Sequence, residues 1–423
     1  MSRIAVIGTG YVGLTTGACF AHIGHDVVCA DIDADKVARL QRGEIPILEP
    51  GLDELVLNAV ADGKLSFVVG AAEAAKDCEF AYLCVPTPQD DDGSADLSYV
   101  ETAARQIAPV LPTGAVVVNK STVPVGSTFV VERAMNRPDV KVVSNPEFLR
   151  EGSAVHDFLH PDRVVIGTED RDTAVKVASL FLGLTAPVIV TDPASAETIK
   201  YAANSFLATK LSFVNAMATV CEAVGANIND VVLGMGTDPR IGEKFLKPGP
   251  GWGGSCFPKD TRAMVKIAED AGYDFEMLRG VINANELQFD LVADKVEAMC
   301  GGDLAGVKVA VWGLTFKANT DDLRESPSLE VINRLIERRA EVLAYDPAIH
   351  ADLDNVSVSD SAYTAVEGAD IVVLLTEWDE FRWLDMAKVA DLMTTPRIYD
   401  TRNVIDVPAA RRAGFEICSL GRA

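Results

Sequence analysis

A single cysteine, Cys256, lies in a loop of glycines and prolines that reads GPGWGGSCFPKD from residue 249 to residue 260. Pro258 fits the first turn of a helix, so the sequence predicts that Cys256 stands at or just before a helix N-terminus. The unpaired backbone N–H groups and the dipole of such a helix, together with nearby Lys259, favour a thiolate. Glycines without side chains would let the loop lie flat against a ligand. We therefore interpret the loop as an activated thiol beside a ligand, the alternative being a turn that buries a structural cysteine.

Three carboxylates could exchange protons with a substrate near this thiol. Asp260 follows Cys256 in the first helical turn and can point toward the sulfur. Glu147 and Glu151 follow a short apolar strand, and their spacing places both on one face of a helix if a helix begins there. The alternative for this second pair is a solvated acidic turn.

A long apolar pattern with helical spacing runs from residue 195 to residue 226. It is apolar around most of its circumference, which indicates a helix buried between domains or subunits. Glu197, Lys200 and Asn204 interrupt it on one face, and burial of an unpaired lysine is unfavourable. An ion pair between Glu197 and Lys200 is one interpretation. Asn204, one turn beyond Lys200, favours a polar site instead.

The N-terminus carries the pattern of a dinucleotide-binding turn. A buried strand, Arg3 to Ile7, leads directly into GTGYVG, which opens an apolar helix and is followed by a second strand that ends in Asp31. Gly8 would permit the tight turn, Gly10 would let the backbone approach a pyrophosphate, and Gly13 would let helix and strand pack closely. Asp31 would accept hydrogen bonds from ribose hydroxyls and repel a 2′-phosphate, which predicts NAD rather than NADP.

Further strands of a parallel sheet end in polar tips. One strand ends before Pro86 and Thr87, and the next ends before Lys120, Ser121 and Thr122. Ligands of open α/β sheets lie beyond the carboxyl ends of the strands, so we expect these tips beside the cofactor.

The C-terminal third repeats the alternation of strands and helices, with Arg397 to Tyr399 as the last predicted strand. It has no GxGxxG motif, so we do not expect a second dinucleotide. Its strand tips carry cations that could hold a diphosphate or a sugar: Lys317, Arg324 and Arg402. His156 and His160 form an HxxxH pair, but Pro161 breaks the helix that a metal site would need, so no metal site is expected.

Composition excludes several classes of protein. The 423 residues predict two or three domains, and 48% hydrophobic with 24% charged residues is typical of a folded soluble protein. A net charge of −24 argues against nucleic acid or an anionic membrane as the main partner. Eight scattered cysteines and the lack of a long apolar run or signal peptide predict reduced thiols in a cytoplasmic protein.

The ordered motifs resemble the UDP-glucose/GDP-mannose dehydrogenase family over almost the whole chain. They are GTGYVG, CVPTP, KSTVPVG, NPEFLREG, AETIKYAANSF, RIG, GPGWGGSCFPKD and GLTFKANTDDLRESP. The resemblance implies an α/β fold of two Rossmann-like domains with parallel sheets, joined by a long central helix in a homo-oligomer that is at least a dimer. We expect an NAD-binding domain at 1–195, a central helical dimerisation and catalytic-loop region at 196–300, and a UDP-sugar-binding domain at 301–423.

The resemblance also implies the chemistry, which is a four-electron oxidation of a sugar C6 alcohol to a carboxylate with two NAD and a covalent thioester. Cys256 would be the nucleophile. Lys200 and Asn204 would stabilise charge on the C6 oxygen, while water would be positioned or deprotonated by Thr122, Glu147 and Asp260. Cofactor contacts are implied for Gly8, Gly10, Tyr11, Val12, Gly13, Asp31, Lys36, Pro86, Thr87, Ser121, Thr122, Glu151 and Arg324. Substrate contacts are implied for Glu147, Phe148, Leu149, Lys200, Asn204, Arg240 of a neighbouring subunit, Phe245, Leu246, Lys247, Gly251, Gly253, Lys317 and Arg402.

Enzymes that act on different sugar nucleotides share several of these motifs. GDP-mannose dehydrogenases share the thiol, the lysine and the asparagine, although SCFPKD and RIG fit the UDP-glucose branch better. Trp252 stands where phenylalanine is common in relatives, which keeps an aromatic wall. Outside this class of enzymes, the alternative is an NAD-responsive binding protein with an inert cysteine.

Overall fold

The computed structural model describes residues 1–89 and 95–422 and divides into two compact units. The first comprises Met1–Ala203 and Arg262–Ala271, and the second comprises Asn204–Thr261 and Gly272–Ala423. The division into regions 1–195, 196–300 and 301–423 stays a prediction.

The first unit is a doubly wound α/β sheet. Within the described residues it has eight strands: β1 Arg3–Ile7, β2 Asp26–Asp31, β3 Leu65–Val69, β4 Phe80–Leu83, β5 Val116–Asn119, β6 Lys141–Ser144, β7 Val164–Gly167 and β8 Val188–Thr191. Their helices are α1 Tyr11–His22, α2 Ala34–Gln41, α3 Leu52–Ala61, α4 Ala71–Ala75, α5 Ser98–Ile107, α6 Ser127–Met135, α7 Ala154–Leu159 and α8 Arg171–Ser179.

The strand order is β3-β2-β1-β4-β5-β6-β7-β8, and the chain order reverses between β1 and β4. The central strand β1 is almost wholly buried, as expected for a parallel strand covered by helices on both faces. One face packs against α1, α3 and α7, and the other packs against α4, α5 and α6. The predicted parallel sheet is confirmed, with one antiparallel pair where β7 joins β6.

The predicted long helix is confirmed as α9 Pro193–Val224, which leaves the first unit after Ala203 and continues into the second. The other helices after it are α10 Ile228–Gly236, α11 Phe257–Asp270, α12 Glu276–Met299, α13 Pro327–Glu337, α14 Ala362–Ala365, α15 Met386–Leu392, α16 Val407–Arg412 and a 3₁₀ helix, Asp379–Trp383.

The second unit holds another parallel sheet, with strands β9 Lys308–Trp312, β10 Glu341–Tyr345, β11 Ser357–Val358, β12 Ile371–Leu374, β13 Arg397–Asp400 and β14 Glu416–Ser419. Their order, β11-β10-β9-β12-β13-β14, repeats the reversal of the first sheet. The expectation that β13 is the last strand is wrong, because the short edge strand β14 pairs with it.

No helix in the described part of the chain is long and apolar enough to cross a membrane.

Candidate active site

The glycine turn between β1 and α1 has the shape that a pyrophosphate needs. Gly8 has a φ of +100°, and a Cβ at Gly13 would overlap the carbonyl oxygen of Gly8, so neither position accepts a side chain. Gly10 has open space where its Cβ would stand, and no side chain caps the N-terminus of α1, where Tyr11 and Val12 begin the helix. The turn therefore leaves backbone N–H groups for an anion.

Asp31 ends β2 next to this turn. Its carboxylate accepts hydrogen bonds from the amide of Thr9 at 3.0 Å and from the Thr9 hydroxyl at 2.6 Å, and Lys36 lies 3.2 Å away. The hydrogen bonds with Thr9 and Asp33 and the charge of Lys36 outweigh partial burial and lower the pKa of Asp31. An ionised carboxylate that keeps some exposure fits the ribose of NAD.

The corresponding carboxylate of the second unit, Asp346, already accepts several hydrogen bonds from its own unit. It follows β10, is fully buried, and accepts hydrogen bonds from the amides of Leu314 and Thr315 and from the indole of Trp378. No ribose can reach it in this conformation. The two units thus share a topology but differ at the residue that would bind a ribose.

Tyr11 connects the glycine turn to the segment that carries Glu147 and Glu151. Its hydroxyl donates to the carboxylate of Glu49 and lies 2.9 Å from the carbonyl oxygen of Arg150. Glu49 is buried and also accepts from the amides of Gly152 and Ala154. The sequence reasoning missed Glu49, which lies between two helices and whose partners are about a hundred residues away.

The tips of β4 and β5 lie together, as predicted. The hydroxyl of Thr87, which follows Pro86, donates to the carbonyl of Thr122 at 2.8 Å, and the hydroxyl of Ser121 donates to the carbonyl of Val85 at 2.7 Å. These bonds hold the backbone on which Thr122 stands.

Glu197 binds the backbone a few residues after Thr122. Its buried carboxylate accepts from the amide of Gly126 at 2.6 Å and from the amide and hydroxyl of Thr128 at 2.9 and 2.8 Å. Burial raises the pKa of Glu197, although these hydrogen bonds oppose the rise. The interpretation of Glu197 as the partner of Lys200 is therefore wrong: the N-terminus of α6 takes the carboxylate instead.

Lys200 pairs with Glu147. The two charges are 2.7 Å apart, and each side chain is only 4% exposed. The other carboxylate oxygen of Glu147 accepts from the amide of Leu149 at 2.6 Å, and Lys200 lies 5.6 Å from the ring of Phe148. A buried pair of this kind can hold or release a proton beside a substrate oxygen.

Glu147 and Glu151 do not share a helical face, because no helix begins at this segment. Both lie in an irregular segment before α7, because side chains take the backbone donors: Glu147 takes the amide of Leu149, and Asp157 takes that of Arg150. Gly152 then turns with a φ of +75°. The carboxylates are therefore positioned by separate contacts.

In the second unit, Cys256 stands directly before α11, as predicted, and is half-buried. The helix begins with the bond from the amide of Asp260 to the carbonyl of Cys256 at 2.8 Å. The carboxylate of Asp260 is fully buried, accepts from the amide group of Asn204 at 2.6 Å, and lies 2.6 Å from the ammonium group of Lys259. A carboxylate, an amide and a cation therefore meet at the start of the helix that follows the thiol.

The glycines of the loop are required by their neighbours. A Cβ at Gly251 would overlap the ring of Phe289, and one at Gly253 would overlap the carbonyl of Glu325. Trp252 is buried between them, with its indole donating to Ser212 at 2.8 Å and its amide donating to Asn285 at 2.8 Å. Part of the glycine content therefore serves packing, a role that the sequence reasoning did not assign.

The predicted substrate cations of the second unit differ in their surroundings. Arg402 lies 3.1 Å from Glu377, and Gly249 lies so close to its guanidinium that a Cβ would touch it. Lys317 is half-buried beside the ring of Phe316.

The other residues predicted to bind substrate or cofactor in this unit differ in their exposure and in their ion pairs. Arg324 pairs with Asp322, and Arg240 pairs with Asp238 while its side chain is 88% exposed. Phe245 has a φ of +61°, Leu246 is buried and Lys247 is exposed.

The thiols fall into two groups. All eight cysteines lie in the described residues, and none forms a disulfide. Burial raises the pKa of Cys19 and of Cys84 to about 12, and that of Cys78 to about 11. Cys256 differs by standing, half-buried, at a helix N-terminus.

Comparison with known proteins agrees with this architecture. The UDP-glucose/GDP-mannose dehydrogenase family matches through its NAD binding domain at residues 2–185, its central domain at 194–287 and its UDP binding domain at 310–407.

Individual relatives cover nearly the whole chain. The UDP-glucose 6-dehydrogenase YwqF of Bacillus subtilis is 46% identical over 99% of this chain and 98% of that protein. A UDP-glucose dehydrogenase structure from Pyrobaculum islandicum has a TM-score of 0.92 at 38% identity, covering 100% of this chain and 98% of that one. A UDP-D-ManNAc dehydrogenase structure from Pyrococcus horikoshii has a TM-score of 0.88 at 30% identity and covers 99% of each chain.

The turn at Gly8 and the carboxylate of Asp31 fit NAD, and the matches extend over the full length. The chain therefore belongs to the UDP-glucose/GDP-mannose dehydrogenase family and is an NAD-dependent dehydrogenase.

Proposed function

We propose that the protein oxidises the C6 alcohol of UDP-glucose to the carboxylate of UDP-glucuronate, with Cys256 as a covalent nucleophile. The observation that carries the proposal is the position of this thiol immediately before α11. The first turn of α11 contains the buried Asp260, which accepts a hydrogen bond from Asn204 on α9. The names of the full-length relatives favour UDP-glucose as the sugar nucleotide.

NAD, when bound, accepts one hydride in each of the two oxidations. In the first oxidation the C6 alcohol loses a proton as well as a hydride and becomes an aldehyde. The Glu147–Lys200 pair supplies groups that can take this proton and stabilise charge on the C6 oxygen. Asn204 is the second proposed donor to the C6 oxygen, and its bond with Asp260 fixes the plane of its amide group.

Cys256 is needed because an aldehyde has no tetrahedral carbon from which a second hydride can leave. The thiolate adds to the aldehyde carbon, a C–S bond forms, and the oxygen takes a proton to give a thiohemiacetal. Loss of a hydride and a proton gives a thioester. Water then adds at C6, the C–S bond breaks, and the carboxylate and the thiol are released. Thr122, Glu147 and Asp260 are the proposed groups for positioning or deprotonating that water.

The thioester proposal is tested by the yield of NADH. The unmodified protein should form two NADH per UDP-glucose and release no aldehyde that an added hydrazine can trap. Cys256→Ala should keep its fold and its binding of UDP-glucose but lose the second oxidation by several orders of magnitude. Cys300→Ala, which removes another half-buried thiol of the same unit, is the matched control and should keep the yield. Steady uronate formation by a folded Cys256→Ala protein would refute the nucleophile.

The choice of sugar nucleotide has a separate test. We expect the highest kcat/KM for UDP-glucose among UDP-glucose, GDP-mannose and UDP-N-acetylmannosamine. A higher value for either of the other two would overturn the substrate assignment while leaving the chemistry at Cys256 in place.

We also propose a homo-oligomer, on the evidence of an apolar surface along α9. Its four large exposed apolar side chains recur at helical spacing: Phe206, Phe213, Val220 and Val224. An apolar stripe on a long helix is typical of a subunit contact. The exposed Arg240 is then available to a neighbouring subunit.

A further inference from the structure

We propose that Lys120 is a positioning residue of the reaction, whose buried ammonium group sets the charge state of the Glu147–Lys200 pair. From the sequence, the strand tip that carries Lys120 is expected beside the cofactor, but no role of its own is expected for the side chain. The inference rests on the proposed function, because it concerns the proton that leaves the C6 alcohol.

Lys120 follows β5 directly and is 4% exposed. Its ammonium group donates to the side-chain oxygen of Asn145 at 3.3 Å, and the amide group of Asn145 donates in turn to the carbonyl of Val165 at 2.7 Å. This second bond turns the Asn145 oxygen toward Lys120. Among residues 1–89 and 95–422, that oxygen is the one hydrogen-bond acceptor of Lys120, and no carboxylate lies within ion-pair distance of it.

Lys120 interacts electrostatically with side chains from three neighbouring parts of the first unit. The thiol of Cys84 lies beyond β4, Glu147 lies beyond β6, and Lys200 lies on α9. The ring of Phe158 on α7 is 6.0 Å away. Burial lowers the pKa of Lys120; Cys84 and Glu147 oppose this effect, and Lys200 adds to it.

Two lysines and one carboxylate therefore interact in a buried part of the first unit, so the fully charged group carries one excess positive charge. Charges interact more strongly there than in water. A positive charge at Lys120 opposes the binding of a proton by its neighbours. The Glu147–Lys200 pair therefore stays unprotonated, and open to the substrate proton, down to a lower pH.

A purely structural role makes a different prediction. If Lys120 only fills space against Phe158, its replacement would lower stability or kcat without moving the pH dependence. The pH profile therefore separates the two roles.

The test compares Lys120→Met, which removes the charge and keeps a long stem, with Lys120→Arg, which keeps the charge. We expect the pH profile of kcat/KM to move to higher pH by about one unit in Lys120→Met, since loss of a nearby cation favours the protonated state of both groups. Lys120→Arg should stay close to the unmodified profile. If Lys120→Met does not fold, Lys120→Gln, which keeps a polar group for Asn145, replaces it.

A second readout needs no turnover. With lysines labelled with ¹³C at Cε, the resonance that disappears in Lys200→Met identifies Lys200, and its titration midpoint should rise by about one pH unit in Lys120→Met. Unchanged midpoints and an unchanged profile would overturn the role of Lys120. Failure of the protein to oxidise UDP-glucose would count against the proposed function and would leave the titration as an independent test of Lys120.

Discussion

At the scale of single residues, we propose that the carboxylate of Asp31 selects NAD over NADP. Thr9 and Lys36 hold the carboxylate at the end of β2 and keep it ionised. Its counterpart Asp346 has its acceptor positions filled by its own unit. Asp31 is thus the carboxylate placed for a ribose.

Asp31→Ala should erode the preference for NAD over NADP by roughly 10- to 100-fold, because a hydrogen bond to a charged group contributes about 1.5–3 kcal/mol and the repulsion of a 2′-phosphate disappears. The measurement is kcat/KM for both cofactors. Asp33→Ala, which removes the nearby cap of α2, is the control and should leave the ratio unchanged. Equal use of both cofactors by the unmodified protein would contradict the role of Asp31.

Sequence patterns could predict the positions of Cys256 and Asp31 because each residue stands near a local signature. For Cys256 the signature is a helix that starts with a proline, and for Asp31 it is the glycine turn. Such patterns could not predict the partners of Glu197 or Lys200. Spacing along one helix allowed a pair between these two residues as one interpretation. Glu197 instead binds an amide 71 positions away, and Lys200 binds a carboxylate 53 positions away. Such contacts depend on how the strands assemble.

At the scale of elements, Glu197 joins α9 to the N-terminus of α6. Both oxygens of its carboxylate accept hydrogen bonds from the backbone that follows Thr122. An amide side chain could accept on one oxygen only and would oppose an N–H group with the other end.

Glu197→Gln should therefore lower the free energy of unfolding by about 1–3 kcal/mol and reduce kcat by displacing Thr122. The folded pKa of Glu197 is raised, so ionisation of this carboxyl is less favourable in the folded than in the unfolded protein. The stability that arises from this pKa shift is fully present below the unfolded pKa and is lost as pH rises through the folded pKa. The variant should lack this part of the pH dependence. The measurement is denaturant unfolding across pH, with Thr128→Val completing a double-mutant cycle; strictly additive effects would contradict the coupling.

A continuous apolar run predicted β1, and apolar residues at helical spacing predicted α9. The segment from Asn145 to Ser153 could not be predicted, because its amides bond to side chains rather than to helical carbonyls. The edge strand β14 was missed because only one of its four residues is buried, so that it lacks the continuous apolar run of an inner strand.

At the scale of the whole molecule, the proposed oligomer would allow Arg240 to bind the substrate of a neighbouring subunit. Its guanidinium is held by Asp238 and is exposed to solvent. The ion pair fixes its orientation without burying it.

Arg240→Ala should raise KM for UDP-glucose about tenfold or more and leave KM for NAD nearly unchanged, because a guanidinium–phosphate contact would be lost. Mixing Arg240→Ala with inactive Cys256→Ala chains should restore part of the activity, since some hybrid sites contain both intact residues. Light scattering monitors assembly and subunit exchange. A fully active monomer would exclude the role across subunits.

The distribution of thiols also makes this chain open to selective chemical labelling. Alkylating reagents react with thiolates, and burial raises the pKa of six other cysteines: Cys19, Cys29, Cys78, Cys84, Cys300 and Cys418. Cys221 is buried as well. A mild reagent such as iodoacetamide should therefore mark Cys256 first, and the rate of marking would report how much of the site a bound sugar nucleotide covers, with no oxidation taking place.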